Sequence, residues 1–132
     1  MTAIADLTLV NAAGANTTFT AQVGAGSDGS WARWAYVNTL LPRNQHSTVA
    51  MMTRPGEGGK SRRIESVVVS PILVATPVAG YFDTVGYCST RQISSIYLGA
   101  KDAVINDHFA FAGSFQNLAA MRALFASGYS PT

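Results

Sequence analysis

The sequence predicts an α+β fold: an antiparallel sheet of six to seven strands, opened by an N-terminal hairpin and closed by one C-terminal helix. Three observations carry that reading. Short alternating segments fill most of residues 7–112, separated by turns rich in glycine, proline and asparagine. The apolar period changes to three and four residues only near the end, at Phe115, Leu118, Met121, Leu124 and Phe125. One helix of that length, about 20 Å, is about 10–12 Å wide, and strands lie about 4.8 Å apart, so it covers only two or three of them. A soluble domain does not leave the rest of a sheet bare, and the missing cover is expected from another subunit.

The elements follow in order. Residues 7–10 alternate as a strand, Asn11 to Asn16 supply turn residues, and 17–23 alternate again, giving an opening hairpin. Residues 24–30 form a loop with three glycines, and 31–39 are dense in aromatic and β-branched residues. Pro42 marks a connection. Residues 46–54 and 60–69 are two strands joined by Pro55-Gly56-Glu57-Gly58-Gly59, the strongest turn signal in the chain. Pro71 and Pro77 bracket an irregular stretch ending near Gly80. Residues 81–98 are rich in strand formers, with a break expected near 84–86, and 103–112 return as a last strand after a turn at 99–102. The helix is expected at 114–127, with Ser114 as N-cap, Gly128 as C-cap and Pro131 forbidding continuation.

The 132 residues fit one domain, 1–132, without internal repeat or linker. Charged residues make up only 12%, about half the usual share, which suits a surface largely given to contacts. The net charge of +2 does not by itself announce a nucleic-acid binder. Its distribution says more: Arg43, Arg54, Lys60, Arg62 and Arg63 lie together with a single acid, Glu57. Cys88 is the one cysteine, so no intrachain disulfide and no cysteine-built metal site is expected. No signal peptide is apparent, and the apolar run at 67–80 is too interrupted to span a bilayer, so no membrane partner is expected.

The search for catalytic patterns returns little. His46 and His108 are far apart on different predicted strands, and a lone strand histidine is more often structural than catalytic. Asp102 is explained by turn chemistry. Gly56 to Ser61 looks like part of a phosphate loop, but it lies between two strands rather than before a helix and reads as a hairpin turn. No cofactor and no metal site is expected. The basic hairpin is the better signal: lysine and arginine contacts to phosphate supply most non-specific nucleic-acid affinity, and Tyr36, Tyr87 and Tyr97 are available for base stacking. A solvated hairpin tip whose charges discourage edge pairing explains the same residues equally well.

The order of these features resembles the coat proteins of the single-stranded RNA bacteriophages, the leviviruses, over nearly the whole chain. Residues 7–14 followed by a threonine-rich strand are similar to that family's opening hairpin. Trp31-Ala32-Arg33-Trp34 is similar to its third strand, 48–71 to its long central hairpin, Ser89-Thr90-Arg91-Gln92 to the lead into its last strands, and 117–128 to its C-terminal helix. The resemblance implies a homodimer with sheets joined edge to edge and helices lying across the partner, an icosahedral shell, and an inner sheet face meeting genomic RNA. It also implies binding of an RNA hairpin as translational repressor, and a place in the virion after assembly in the bacterial host cytoplasm. Carried over, the RNA-binding positions are Thr48, Met52, Arg54, Lys60, Arg62 and Arg63; by alternation Lys60 and Arg62 share one face, the side of Thr48, and Arg63 points to the other. The dimer packing residues are Phe115, Leu118, Met121 and Phe125. The family often ends in two helices, whereas one is expected here. The alternative is a small dimeric β-ribbon nucleic-acid-binding regulator that stops at a dimer. A β-rich enzyme using His46 or His108 is a third reading.

Overall fold

A computed structural model describes residues 4–128. Six strands form one antiparallel sheet in sequence order: β1 (Leu7–Val10), β2 (Asn16–Val23), β3 (Trp31–Ala35), β4 (Thr48–Pro55), β5 (Ser61–Ala75) and β6 (Phe82–Tyr97). Two helices follow, α1 (Asp102–Asn117) and α2 (Ala119–Ser127). The chain divides into two compact units, Met1–Ser95 and Ile96–Thr132.

Local chemistry explains the sheet's connections. Asn11 Oδ1 accepts the amides of Ala13 and Ala15 at 3.0 and 2.9 Å, fixing the β1–β2 turn. The β4–β5 turn passes through a short 3₁₀ segment, Glu57–Gly59, in which Gly58 and Gly59 take φ of 73° and 68°. Two successive residues in the left-handed region require glycine, so the stretch that looked like a phosphate loop is a hairpin turn. His46 lies before β4, at the end of a 3₁₀ turn (Arg43–Gln45), and donates through Nε2 to the Asn38 carbonyl at 2.9 Å. It holds the β3–β4 connection.

Two expectations for the sheet are corrected. Pro71 lies inside β5, and the strand runs on to Ala75. The last residue of β5 paired to β4 is Val69, so the missing proline N–H takes no bond from that ladder. There is also no break at 84–86: β6 is continuous for 16 residues.

Helix α1 corrects the largest misreading. Residues 103–112, expected as a returning strand, are helical. Asp102 opens the first turn, where a carboxylate suits the helix dipole. Ile105, Phe109 and Ala112 are the partly buried positions, spaced four and three apart. Val104, Phe111, Phe115 and Leu118 form an exposed apolar stripe. Ser114 is therefore not an N-cap; its carbonyl accepts the Leu118 amide near the end of α1. At Leu118 the backbone turns extended (φ −60°, ψ 135°) and separates the two helices, so the chain carries two helices where one was expected. Gly128 closes α2 in the left-handed conformation, φ 76°, with its amide on the Leu124 and Phe125 carbonyls. Pro131 lies outside the described residues.

Burial is sparse. Among the described residues Phe19 is the one hydrophobic side chain classed as buried, while 23 large hydrophobic residues are exposed. Such a surface calls for further cover.

Candidate nucleic-acid interface

Residues directly opposite in an antiparallel pair point to the same side of the sheet. The register therefore sorts the side chains into two faces. On one stand Arg33 of β3, Thr48, Ala50, Met52 and Arg54 of β4, and Arg63, Glu65, Val67 and Val69 of β5. On the other stand Ala32 and Trp34, then Val49, Met51 and Thr53, then Arg62, Ile64 and Val68.

The first face is basic and built around one acid. Glu65 is 6% exposed. Its Oε1 lies 2.9 Å from Arg63 Nη2 and 3.6 Å from Arg54 Nη2, and its Oε2 lies 3.9 Å from Arg91 Nη1 on β6. The three guanidinium side chains are 38%, 46% and 62% exposed. One buried carboxylate thus lies beneath three solvent-facing cations. Exposed Arg33 adds a fourth positive charge to this face. Tyr87, four residues before Arg91 on the same side of β6, is an exposed ring.

The second face is apolar. Phe19 and Tyr36 meet at 6.1 Å between ring centroids. A groove of about 710 Å³ runs along it, lined by Ile4, Leu7, Ala32, Trp34 and Met51 among others. Trp34 Nε1 donates to the Ala5 carbonyl at 2.8 Å and pins the N-terminal segment beside the groove. Arg62 belongs to this side and is neutralised. It makes a bidentate pair with Asp28 at 2.9 and 2.7 Å and reaches Thr53 Oγ1 at 3.3 Å. The hydrogen bond from Arg62 holds the Asp28 carboxyl below its ordinary range, and the same bond raises the guanidinium.

The expected RNA-binding set is therefore divided. Thr48, Met52, Arg54 and Arg63 share the basic face. Arg62 is on the opposite one, because Arg62 pairs with Pro55 and Arg63 with Arg54. Lys60 lies in the turn, exposed, one residue before β5 begins. The expected sides of Arg62 and Arg63 are exchanged, Arg63 and not Arg62 standing on the side of Thr48: without the register, one residue of slip exchanges the faces. Glu65 and Arg91 were missed. A single acid between basic residues and apolar valines was the available signal for Glu65. Arg91 is distant in sequence and only the sheet brings it near.

No protein-family model matches the chain, and no curated protein matches it in sequence. Solved structures do. A chain of the virus-like particle of bacteriophage NT-214 superposes with a TM-score of 0.77 at 15% identity, covering 98% of each chain. One from the virus-like particle of Beihai levi-like virus 21 gives 0.78 at 14%, covering 99% of each. The bacteriophage GA capsid protein gives 0.70 at 21%, covering 96% of this chain and 95% of that one. The chain has the coat-protein fold of the single-stranded RNA phages. That fold comprises both the six-stranded antiparallel sheet and the two C-terminal helices. Of the expected dimer packing residues, Phe115 and Phe125 meet edge to face with ring centroids 6.2 Å apart. Leu118 lies at the helix break, exposed, and Met121 is half-buried in α2. Val104 and Phe111 join this apolar set; the misread strand had concealed them. Among the described residues no cluster of potential metal ligands occurs, and no helix is long and apolar enough to cross a membrane.

Proposed function

We propose that this chain, acting as one domain over residues 1–132, is the coat protein of a single-stranded RNA phage. Two copies form a homodimer, and dimers close into an icosahedral shell around genomic RNA. It acts by assembly rather than by catalytic turnover, and its place is the virion, built in the bacterial host cytoplasm. The observation that carries the reading is the full-length likeness to phage capsid chains at TM-scores of 0.70–0.78. Two features of the chain support it. Exposed apolar residues on α1 and α2 and along the sheet need cover that a second copy supplies. The basic face, with Arg54, Arg63 and Arg91 grouped about the Glu65 carboxylate and Arg33 beside them, suits a phosphate backbone. Thr48, Met52, Arg54 and Arg63 form its RNA-facing surface with Lys60 at the rim, while Arg62 serves the β2–β3 loop. Binding of one RNA hairpin as a translational repressor belongs to the same reading.

The test is expression of the protein alone in bacteria, followed by size-exclusion chromatography with absorbance at 260 and 280 nm and electron microscopy of the void fraction. Uniform particles absorbing as nucleoprotein are the expected result. A nucleic-acid-free species of about twice 13.9 kDa, with no particles, would overturn the reading in favour of a dimeric regulator.

A further inference from the structure

We propose that Glu65 is a positioning residue, whose buried carboxylate arranges Arg54, Arg63 and Arg91 into one seat for a phosphodiester of the enclosed RNA. The inference rests on the RNA-facing reading of the basic face.

An acid on a face that meets RNA is unexpected by charge alone, because each carboxylate there repels phosphate. Three observations make its burial informative. Glu65 sits on β5 between β4 and β6 and reaches an arginine on each of the three strands. It approaches each guanidinium through one terminal nitrogen, and a guanidinium has five donors in a fixed fork, so the remaining donors stay available to an anion. The side chain of Glu65 is 7% exposed while those of the arginines are 38–62% exposed. The carboxylate is beneath and the cations above. Free arginine side chains lose rotamer freedom when they grip a phosphate. Arg63, held at 2.9 Å, has lost part of it beforehand, and the field of the same carboxylate biases Arg54 and Arg91 toward it, so their contacts come at lower cost.

The competing role is relief of repulsion between Arg54 and Arg63. The two roles give opposite signs when the charge of Glu65 is removed. Glu65→Gln makes the face more positive by one unit per chain. If Glu65 only offsets charge, RNA binding tightens and its salt dependence steepens. If Glu65 positions the arginines, binding weakens despite the added charge.

The experiment measures binding of a labelled single-stranded oligoribonucleotide of mixed sequence to purified dimers across a salt series. Wild-type protein, Glu65→Gln and Arg91→Lys are compared, with thermal melting as a check on folding. Arg91→Lys keeps the charge, alters only an exposed side chain and removes the planar fork. The expected result is binding about tenfold weaker for both variants, with a shallower salt slope for Glu65→Gln and a nearly unchanged one for the charge-conserving Arg91→Lys. Tighter or unchanged binding in Glu65→Gln overturns the proposal. Should that variant fail to fold, unchanged binding in Arg91→Lys overturns it instead. Failure of the wild-type protein to bind RNA would instead refute the RNA-facing reading itself, a result distinct from either variant outcome.

Discussion

Arg54 stands directly opposite Arg63 across the β4–β5 ladder, a like-charge pair in register. Such pairs are destabilising, and here the carboxylate two residues along the same face lies 3.6 Å from one guanidinium and 2.9 Å from the other. The stability of the hairpin therefore depends on these partners unequally.

Arg63→Ala removes the 2.9 Å contact and leaves a nearly buried carboxylate poorly paired. A loss of about 2 kcal/mol is expected. Arg91→Ala acts at 3.9 Å on a side chain 62% exposed and should cost less than about 0.5 kcal/mol. Urea unfolding at fixed protein concentration measures both. Equal losses would mean that Glu65 does not discriminate among its neighbours.

The division of charge between faces predicts a division of RNA effects. Arg54→Ala combined with Arg91→Ala should lower the RNA content of particles. It should also reduce the log–log salt slope by about 1.4, two contacts at about 0.7 each for single strands. Arg62→Ala should leave both nearly unchanged, because Arg62 is engaged by Asp28 on the opposite face. An Arg62→Ala loss as large as that of the Arg54→Ala, Arg91→Ala double variant would contradict the register.

The Asp28–Arg62 pair sets an acid limit for the β2–β3 loop. The Asp28 carboxyl is depressed by the hydrogen bond from Arg62. A depressed acid contributes stability that is fully present above its unfolded value, about 3.9, and is lost as pH falls through its folded value. Protection of the Gly29 amide, which donates to the Thr53 carbonyl at 2.9 Å, should be flat from neutral pH down to about 4.5 and fall below that. Asp28→Asn should remove this dependence. Hydrogen exchange read by NMR decides, and a transition near neutral pH in the wild-type protein would assign the loop to another group.

The helices supply the fourth test. Phe115→Ala with Leu118→Ala should abolish soluble dimers, read by light scattering behind a sizing column. Phe111→Ser alone should weaken dimers, since that ring is 72% exposed in the single chain. Survival of dimers in both variants would mean that these side chains do not supply the cover.

The hairpins were legible because turn chemistry is local: Asn11 and the glycines at 58 and 59 mark their turns in sequence. The C-terminal half of the problem was not. Residues 103–112 carry Val104 and Ile105, and Phe109 alternates with Phe111, which imitates a strand over a short window. The helical period emerges only when Val104, Phe111, Phe115 and Leu118 are read together. Gly113 and Ser114 looked like punctuation, although helices tolerate both in their interiors. The basic face was half legible. Which arginines share a side depends on the pairing of two strands to the residue, and Arg91 joins them only through the third.

The strand order leaves β1 and β6 at the two edges of the sheet, with four and 16 residues respectively. An open edge is a template for growth, and growth without a limit leads to aggregates and fibres. In the proposed homodimer growth is self-limiting. There, a long strand pairing with its own copy would use up both long edges in a single addition, and the remaining outer edges, four residues each, are too short to recruit a third sheet. Any further enlargement has to proceed through surfaces other than the sheet edge. Under the proposed function, that separates the step that makes a building block from the step that makes a container.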